Sequence, residues 1–202
     1  MERGRHTWLP LIGILLFVAT CASGPSSRHA STSPDIQGPS IIPLSVHYLT
    51  DEKDIRHKFE QSLEQSNQTL MPHGVGLIVW SEDRLYRLPE QVATRHDRQR
   101  LGGRVVEDGT VHIFIVDKVS LEPGDGLNGL HAHSGRHDFV ILSKTARKTT
   151  LAHEIGHALG LSHETDKDNV MCTQREDVGA RFTSDQGDSM RSAARELVKR
   201  DW

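Results

Sequence analysis

The sequence predicts an α+β fold, a twisted mixed sheet carrying helices. Three observations predict it: short apolar or alternating runs that read as strands, segments with apolar residues at helical spacing, and their order of strand, helix, several strands, helix, loop, helix. Leu44, Val46 and Tyr48 alternate along one face of a first strand. Thr50 or Asp51 then offers an N-cap for a helix on which Ile55, Phe59 and Leu63 recur every four residues. The apolar run from Val75 to Trp80 reads as a buried strand, and a long polar stretch follows it through Arg100. Val105-Val106 and Val111 to Val116 flank Asp108-Gly109, a turn pair that predicts a hairpin. Phe139 to Leu142 supplies the last strand before a helix containing His153 and His157. Thr183 with Gln186 three residues on is a capping-box pattern, and Met190, Ala194 and Leu197 continue at helical spacing, so a helix closes the domain.

The 202 residues suit one domain behind an N-terminal appendage. Residues 1–21 have the layout of an export signal: Arg3 and Arg5 in front, an apolar run from Leu9 to Ala19, then small residues. That run falls short of the about 20 apolar residues of a spanning helix. Val18-Ala19-Thr20-Cys21 resembles the lipobox of bacterial lipoproteins, which implies a lipidated Cys21 as the new N-terminus. Thr20 departs from that pattern, and cleavage by an ordinary signal peptidase near Ala22 is the alternative. Both routes imply export, to the cell envelope or the medium, with membrane contact confined to the lipid anchor. Residues 22–43, rich in Ser, Pro and Gly, read as a flexible tether; folding begins at about Ile41, and the domain is assigned to residues 44–202. With Cys21 lipidated or removed, Cys172 has no partner for an internal disulfide.

A net charge of −3 with 25% charged residues shows no nucleic-acid footprint. The thirteen histidines direct attention to metal-ligand spacing. His153 and His157 stand four apart, on one helix face one turn apart, where both imidazoles reach one tetrahedral zinc. Glu154 lies beside them, placed to take a proton from a zinc-activated water without being a ligand itself. A catalytic zinc usually has three protein ligands and an open position. Gly160 can end the helix in the left-handed conformation and turn the chain so that His163 becomes the third. Such a site hydrolyses peptide bonds without a covalent intermediate, Glu154 returning the proton to the leaving amine.

The run from His153 to His163 matches without a gap the HExxHxxGxxH signature of the metzincins, and Asn169-Val170-Met171-Cys172 follows at a distance suited to their Met-turn. The resemblance spans about Leu44 to Trp202 and is closest to the matrixin branch. It implies a zincin-like catalytic domain with a mostly parallel sheet, an antiparallel edge strand, a metal-binding helix and a C-terminal helix. It also implies one catalytic Zn2+, Met171 beneath the metal, and a substrate strand resembling Gly129-Leu130-His131-Ala132-His133. An edge strand binds extended peptide by adding it as another strand; His131 and His133 read equally well as plain loop histidines. Thr173 stands where astacins and serralysins carry a tyrosine ligand, so the subfamily stays open. Gly124-Asp125-Gly126 lacks the repeat of calcium-binding exported proteases, and Asp166, Asp168 and Asn169 lack the rest of an EF-hand loop, so calcium has no support and a solvated turn is expected.

The function expected is a monomeric zinc endopeptidase acting on protein or peptide substrates. The alternatives are a silent zinc-containing peptide-binding module on the same fold, or a zinc amidase acting on cell-wall peptide. The segment from Thr173 to Phe182 borders the pocket beside the zinc in this family; it holds Arg175, Glu176, Asp177 and Arg181, and the sequence does not tell which points inward.

Overall fold

The computed structural model describes residues 38–121, 126–135, 137–175 and 179–200. Its elements are β1 (Ser40–Tyr48), α1 (Ile55–Leu70), β2 (Val75–Arg84), β3 (Gln91–Val92), α2 (Arg95–Gly102), β4 (Val111–Val116), β5 (Lys118–Val119), β6 (Gly129–Ser134), β7 (His137–Ser143), α3 (Thr150–Ala158) and α4 (Ser184–Arg200). Five strands form one sheet in the order β2-β1-β4-β7-β6, and β3 pairs with β5 separately. The first four are mutually parallel, whereas β6 runs antiparallel to β7 at the edge. This is the mixed sheet with an antiparallel edge strand that the resemblance implied. The export signal, Cys21 and the tether up to residue 37 lie outside the described residues.

All six residues of β4 are buried, as expected of a central strand covered on both faces. Ile113 and Ile115 join a core with Leu44, Val46, Phe59, Leu151, Ile155, Met190 and Ala194, so α1, α3 and α4 cover that face. Phe114 and Val116 point the other way, into a second cluster with Val92, Leu101, Phe139 and Ile141. At about 25 cal/mol per Å2, each fully buried Leu, Ile or Phe is worth about 1.5–3 kcal/mol, and this double burial makes the sheet a firm base for α3. The helices α1 and α4 carry the apolar spacing predicted for them. Thr183 and Gln186 form the predicted capping box, with Gln186 N–H donating to Thr183 Oγ1 at 3.2 Å and Thr183 N–H to Gln186 Oε1 at 2.9 Å.

Four expectations are corrected. No hairpin forms around Asp108-Gly109, because both edges of β4 are taken by β1 and β7 and none remains for Val105-Val106; Asp108 Oδ1 instead accepts from Thr110 N–H and its hydroxyl at 3.0 and 2.7 Å. Helix α1 starts after Asp54 without a side-chain cap. Thr50 and Asp51 lie four and three residues ahead of that position, where Thr50 donates to Asp117 Oδ1 at 2.5 Å and Asp51 pairs with Arg84. The sheet takes in residues 40–43, placed in the tether by composition: Ile42 is buried, and Pro43 precedes the start of pairing with β4 at Leu44, where its missing N–H costs no ladder bond on that side. The polar stretch before Arg100 contains α2, capped by Thr94 and Asp97 and anchored through buried Leu101.

Candidate active site

Helix α3 begins beneath the sheet and carries His153, Glu154 and His157. Its C-terminal end is closed by a Schellman arrangement: Gly160 has φ +87°, Leu161 N–H donates to Gly156 O, and Gly160 N–H donates to His157 O, each at 2.9 Å. That turn brings His163 back over the helix. The Nε2 atoms converge, with His157 lying 3.2 Å from His153 and 3.0 Å from His163. Two nitrogens bound tetrahedrally to one zinc at 2.0–2.1 Å would stand about 3.3 Å apart, so the residues fit the ion.

The other ring nitrogens fix this aim. His153 Nδ1–H donates to Val170 O and His157 Nδ1–H to Leu161 O, both at 2.8 Å. A ring that spends its Nδ1 proton on a carbonyl presents Nε2 as a bare lone pair, the ligand form. Burial pushes His153 down to about 4, so its imidazole is neutral around pH 7 without metal displacing a proton.

Glu154 faces the same cleft and is only 6% exposed. Burial pushes its carboxyl up to about 7, against the pull of the His131 backbone N–H donated to it and of the charges on His131 and Arg175. The positive charge of a zinc neighbour would lower it again. Gly129 makes the close approach of β6 possible: a Cβ there would lie 3.0 Å from Glu154 Oε1 and 2.7 Å from the Thr150 methyl.

Met171 is fully buried under α3. A Cβ on Gly156 would meet its sulfur at 2.6 Å, so the glycine inside the histidine motif is what admits the methionine. The turn holding Met171 is tied down by Asn169, whose Oδ1 accepts from Met171 N–H at 2.8 Å and whose amide donates to Gln186 Oε1 at 2.9 Å. Gln186 thus caps α4 and anchors the Met171 turn together. The sequence marks it only as part of a helix start.

Gly129 to His133 lie in β6, so His131 and His133 are strand residues, and Gly129, Leu130 and His131 line the cleft with the three zinc-ligand candidates. Of the charged residues after Met171, Arg175 points inward, with 8% exposure. Its Nε donates to Thr149 Oγ1 at 3.1 Å and Nη1 to Cys172 O at 3.0 Å, beside His153. Arg181 is exposed, and Glu176, Asp177 and residues 124–125 lie outside the described residues. Asp166 Oδ1 accepts from Asp168 N–H at 3.0 Å in a turn, and Asn169 is committed to Met171 and Gln186.

Comparison with known proteins adds to this geometry. No curated protein matches the chain by sequence. Among solved structures, metalloproteinase-II from Bacteroides fragilis superposes with a TM-score of 0.58 at 14% identity, covering 78% of this chain and 55% of that one. The chain therefore spans about half the length of that relative. Archaemetzincin from Methanopyrus kandleri superposes with a TM-score of 0.52 at 16% identity, covering 79% of this chain and 99% of the other. At such identities the likeness establishes the fold. The matrixin family model matches residues 43–191, from the first strand through the histidine motif and the Met171 turn into the last helix. With well over half of its length matched in this way, the chain belongs to the matrixin family of peptidases.

Proposed function

We propose that the protein is a zinc-dependent endopeptidase, exported and either anchored through Cys21 or secreted, that cleaves extended peptide laid along β6. The observation that carries this reading is the convergence of three Nε2 atoms beside a buried carboxylate, in a cleft bordered by the sheet's antiparallel edge. His153, His157 and His163 would hold one zinc, which when bound would supply a Lewis acid that lowers the pKa of a water towards about 7 and polarises the scissile carbonyl.

The chain's own residues do the rest. The unpaired edge of β6 offers backbone groups to a peptide added as a further strand, so binding needs little from side chains. Glu154 accepts the proton of the attacking water and returns it to the leaving amine. Its burial favours that protonated state, against the lowering that the zinc charge would bring. Met171 supports the floor of the site from below α3.

The test is a quenched peptide library with zinc counted on the same samples. Glu154→Gln is expected to keep its zinc and lose about 10²–10⁴-fold in turnover, the usual contribution of a general base. Undiminished turnover in that variant would remove Glu154 from this role.

A further inference from the structure

The walls of the cleft are unevenly charged. Apart from histidines, the ionisable side chains that line it among the described residues are Arg147, Arg175 and a single carboxylate, Glu154. Glu154 is buried and serves the proton transfer proposed above. Arg175 is buried too, its guanidinium donating to Thr149 Oγ1 and Cys172 O. Arg147 differs from both, because it is exposed and its Nη1 donates at 3.1 Å to a backbone carbonyl, that of Arg175. Among the described residues the arginines in ion pairs are Arg56, Arg84 and Arg191, so no carboxylate there neutralises Arg147.

The backbone sets where this charge stands. Arg147 O accepts from Thr150 N–H at 3.0 Å, and a Cβ on Gly129 would lie 2.7 Å from the Thr150 methyl. Asn128 O accepts from Ser143 N–H at 2.9 Å, so the segment that joins β7 to α3 leaves the sheet beside the start of β6. Arg147 therefore flanks the Gly129 end of the cleft, whereas His131 lies over His157 with ring centroids 6.3 Å apart. A guanidinium carries five N–H donors in a rigid fork. The Arg175 carbonyl takes one of them, which holds the fork at the cleft wall and leaves the others for a carboxylate.

We propose that Arg147 is a specificity-determining residue, which pairs with an acidic side chain of a peptide laid along β6 past Gly129. A planar fork can hold both oxygens of a carboxylate, where an ammonium offers only a point charge. The buried charge of Arg175, felt by both His153 and Glu154, adds to the positive field on the same wall and disfavours basic side chains there. The inference rests on the reading of the cleft as a peptide-binding groove and names its substrates as acidic peptides.

Three peptide libraries test it, with Glu, Gln or Lys walked through each position. Turnover is measured on the wild-type chain, and binding, by fluorescence anisotropy, on zinc-loaded Glu154→Gln, with Arg147→Gln and Arg147→Glu made in both. Glu at one position is expected to improve kcat/KM and affinity about 10–100-fold over Gln, the usual return of a charge-assisted hydrogen bond. Arg147→Gln should bring that ratio close to one, and Arg147→Glu should turn the preference to Lys. The same preference in binding with no turnover by wild type would sink the peptidase reading and keep this one. No peptide binding at all, a ratio near one at every position, or a preference that survives Arg147→Gln, as capture of the carboxylate by the metal would leave it, would overturn the proposal.

Discussion

Among the described residues, histidines meet in the interior in two opposite ways. Under the cleft, His153 and His157 spend their Nδ1 protons on the carbonyls of Val170 and Leu161, and their Nε2 atoms face each other as lone pairs with no proton between. On the sheet, His47 Nε2 meets His112 Nδ1 at 2.8 Å, with Asp83 Oδ1 at 2.6 Å on the far side of His47 and Val106 O at 3.2 Å beyond His112. With His47 as the imidazolium, donating to Asp83 and to His112 Nδ1, and neutral His112 donating from Nε2 to Val106 O, those contacts form one continuous hydrogen-bond chain. The same side chain thus becomes a ligand or a strut according to whether its second ring nitrogen is left as a lone pair or given a hydrogen-bond partner.

The sharpest way to break this comparison is to remove one member of each group. His157→Ala should lose the zinc bound at the α3 site and with it all measurable peptide cleavage. His112→Gln should keep that zinc, as counted by mass spectrometry. Equal zinc loss in both variants would erase the distinction.

A smaller effect tests the floor of the site. Gly156→Ala places a methyl group 2.6 Å from the Met171 sulfur in a fully buried contact, and overpacking of that kind costs about 1–3 kcal/mol. Urea unfolding should register the loss, and Gly156→Ala combined with Met171→Ala should recover part of it. No change in the midpoint would mean that the methionine moves aside freely.

Acid should then separate the strut from a passive core residue. Burial pushes His112 below the ordinary histidine value of 6.5, with the charge on His47 adding to the push and Asp108 opposing it. The unfolded chain therefore binds a proton that the folded His112 refuses. Its contribution to stability is complete above pH 6.5 and is lost as the pH falls towards the lower folded value. Denaturant midpoints measured from pH 7.5 downwards should decline less steeply in His112→Gln than in wild type; identical slopes would show that His112 titrates normally. The smallest effect belongs to Met171→Leu, a volume-conserving change expected to cost under about 1.5 kcal/mol and to leave zinc bound.

Legibility from the sequence followed the same division between local and long-range determinants. The ligand set was readable because a helix repeats every 3.6 residues and Gly160 marks its end, so spacing alone places three imidazoles together. The edge strand was readable through resemblance. The hairpin at Asp108-Gly109 was misread because turn chemistry says nothing about whether a neighbouring strand position is already filled. Helix α2 escaped because Leu101 alone of its side chains is a buried apolar one, too sparse for a periodic signal. Arg175 and Asn169 look like ordinary loop residues; their burial depends on partners 26 and 17 positions away. The capping-box residue Gln186 gave a signal, but for only one of its two roles.

The most direct measurement is an anomalous difference map at the zinc edge from crystals of the full chain. The account predicts a peak bonded to Nε2 of His153, His157 and His163, with the Nδ1 atoms of His153 and His157 still donating to Val170 and Leu161. The absence of a peak there, or coordination through Nδ1, would contradict it.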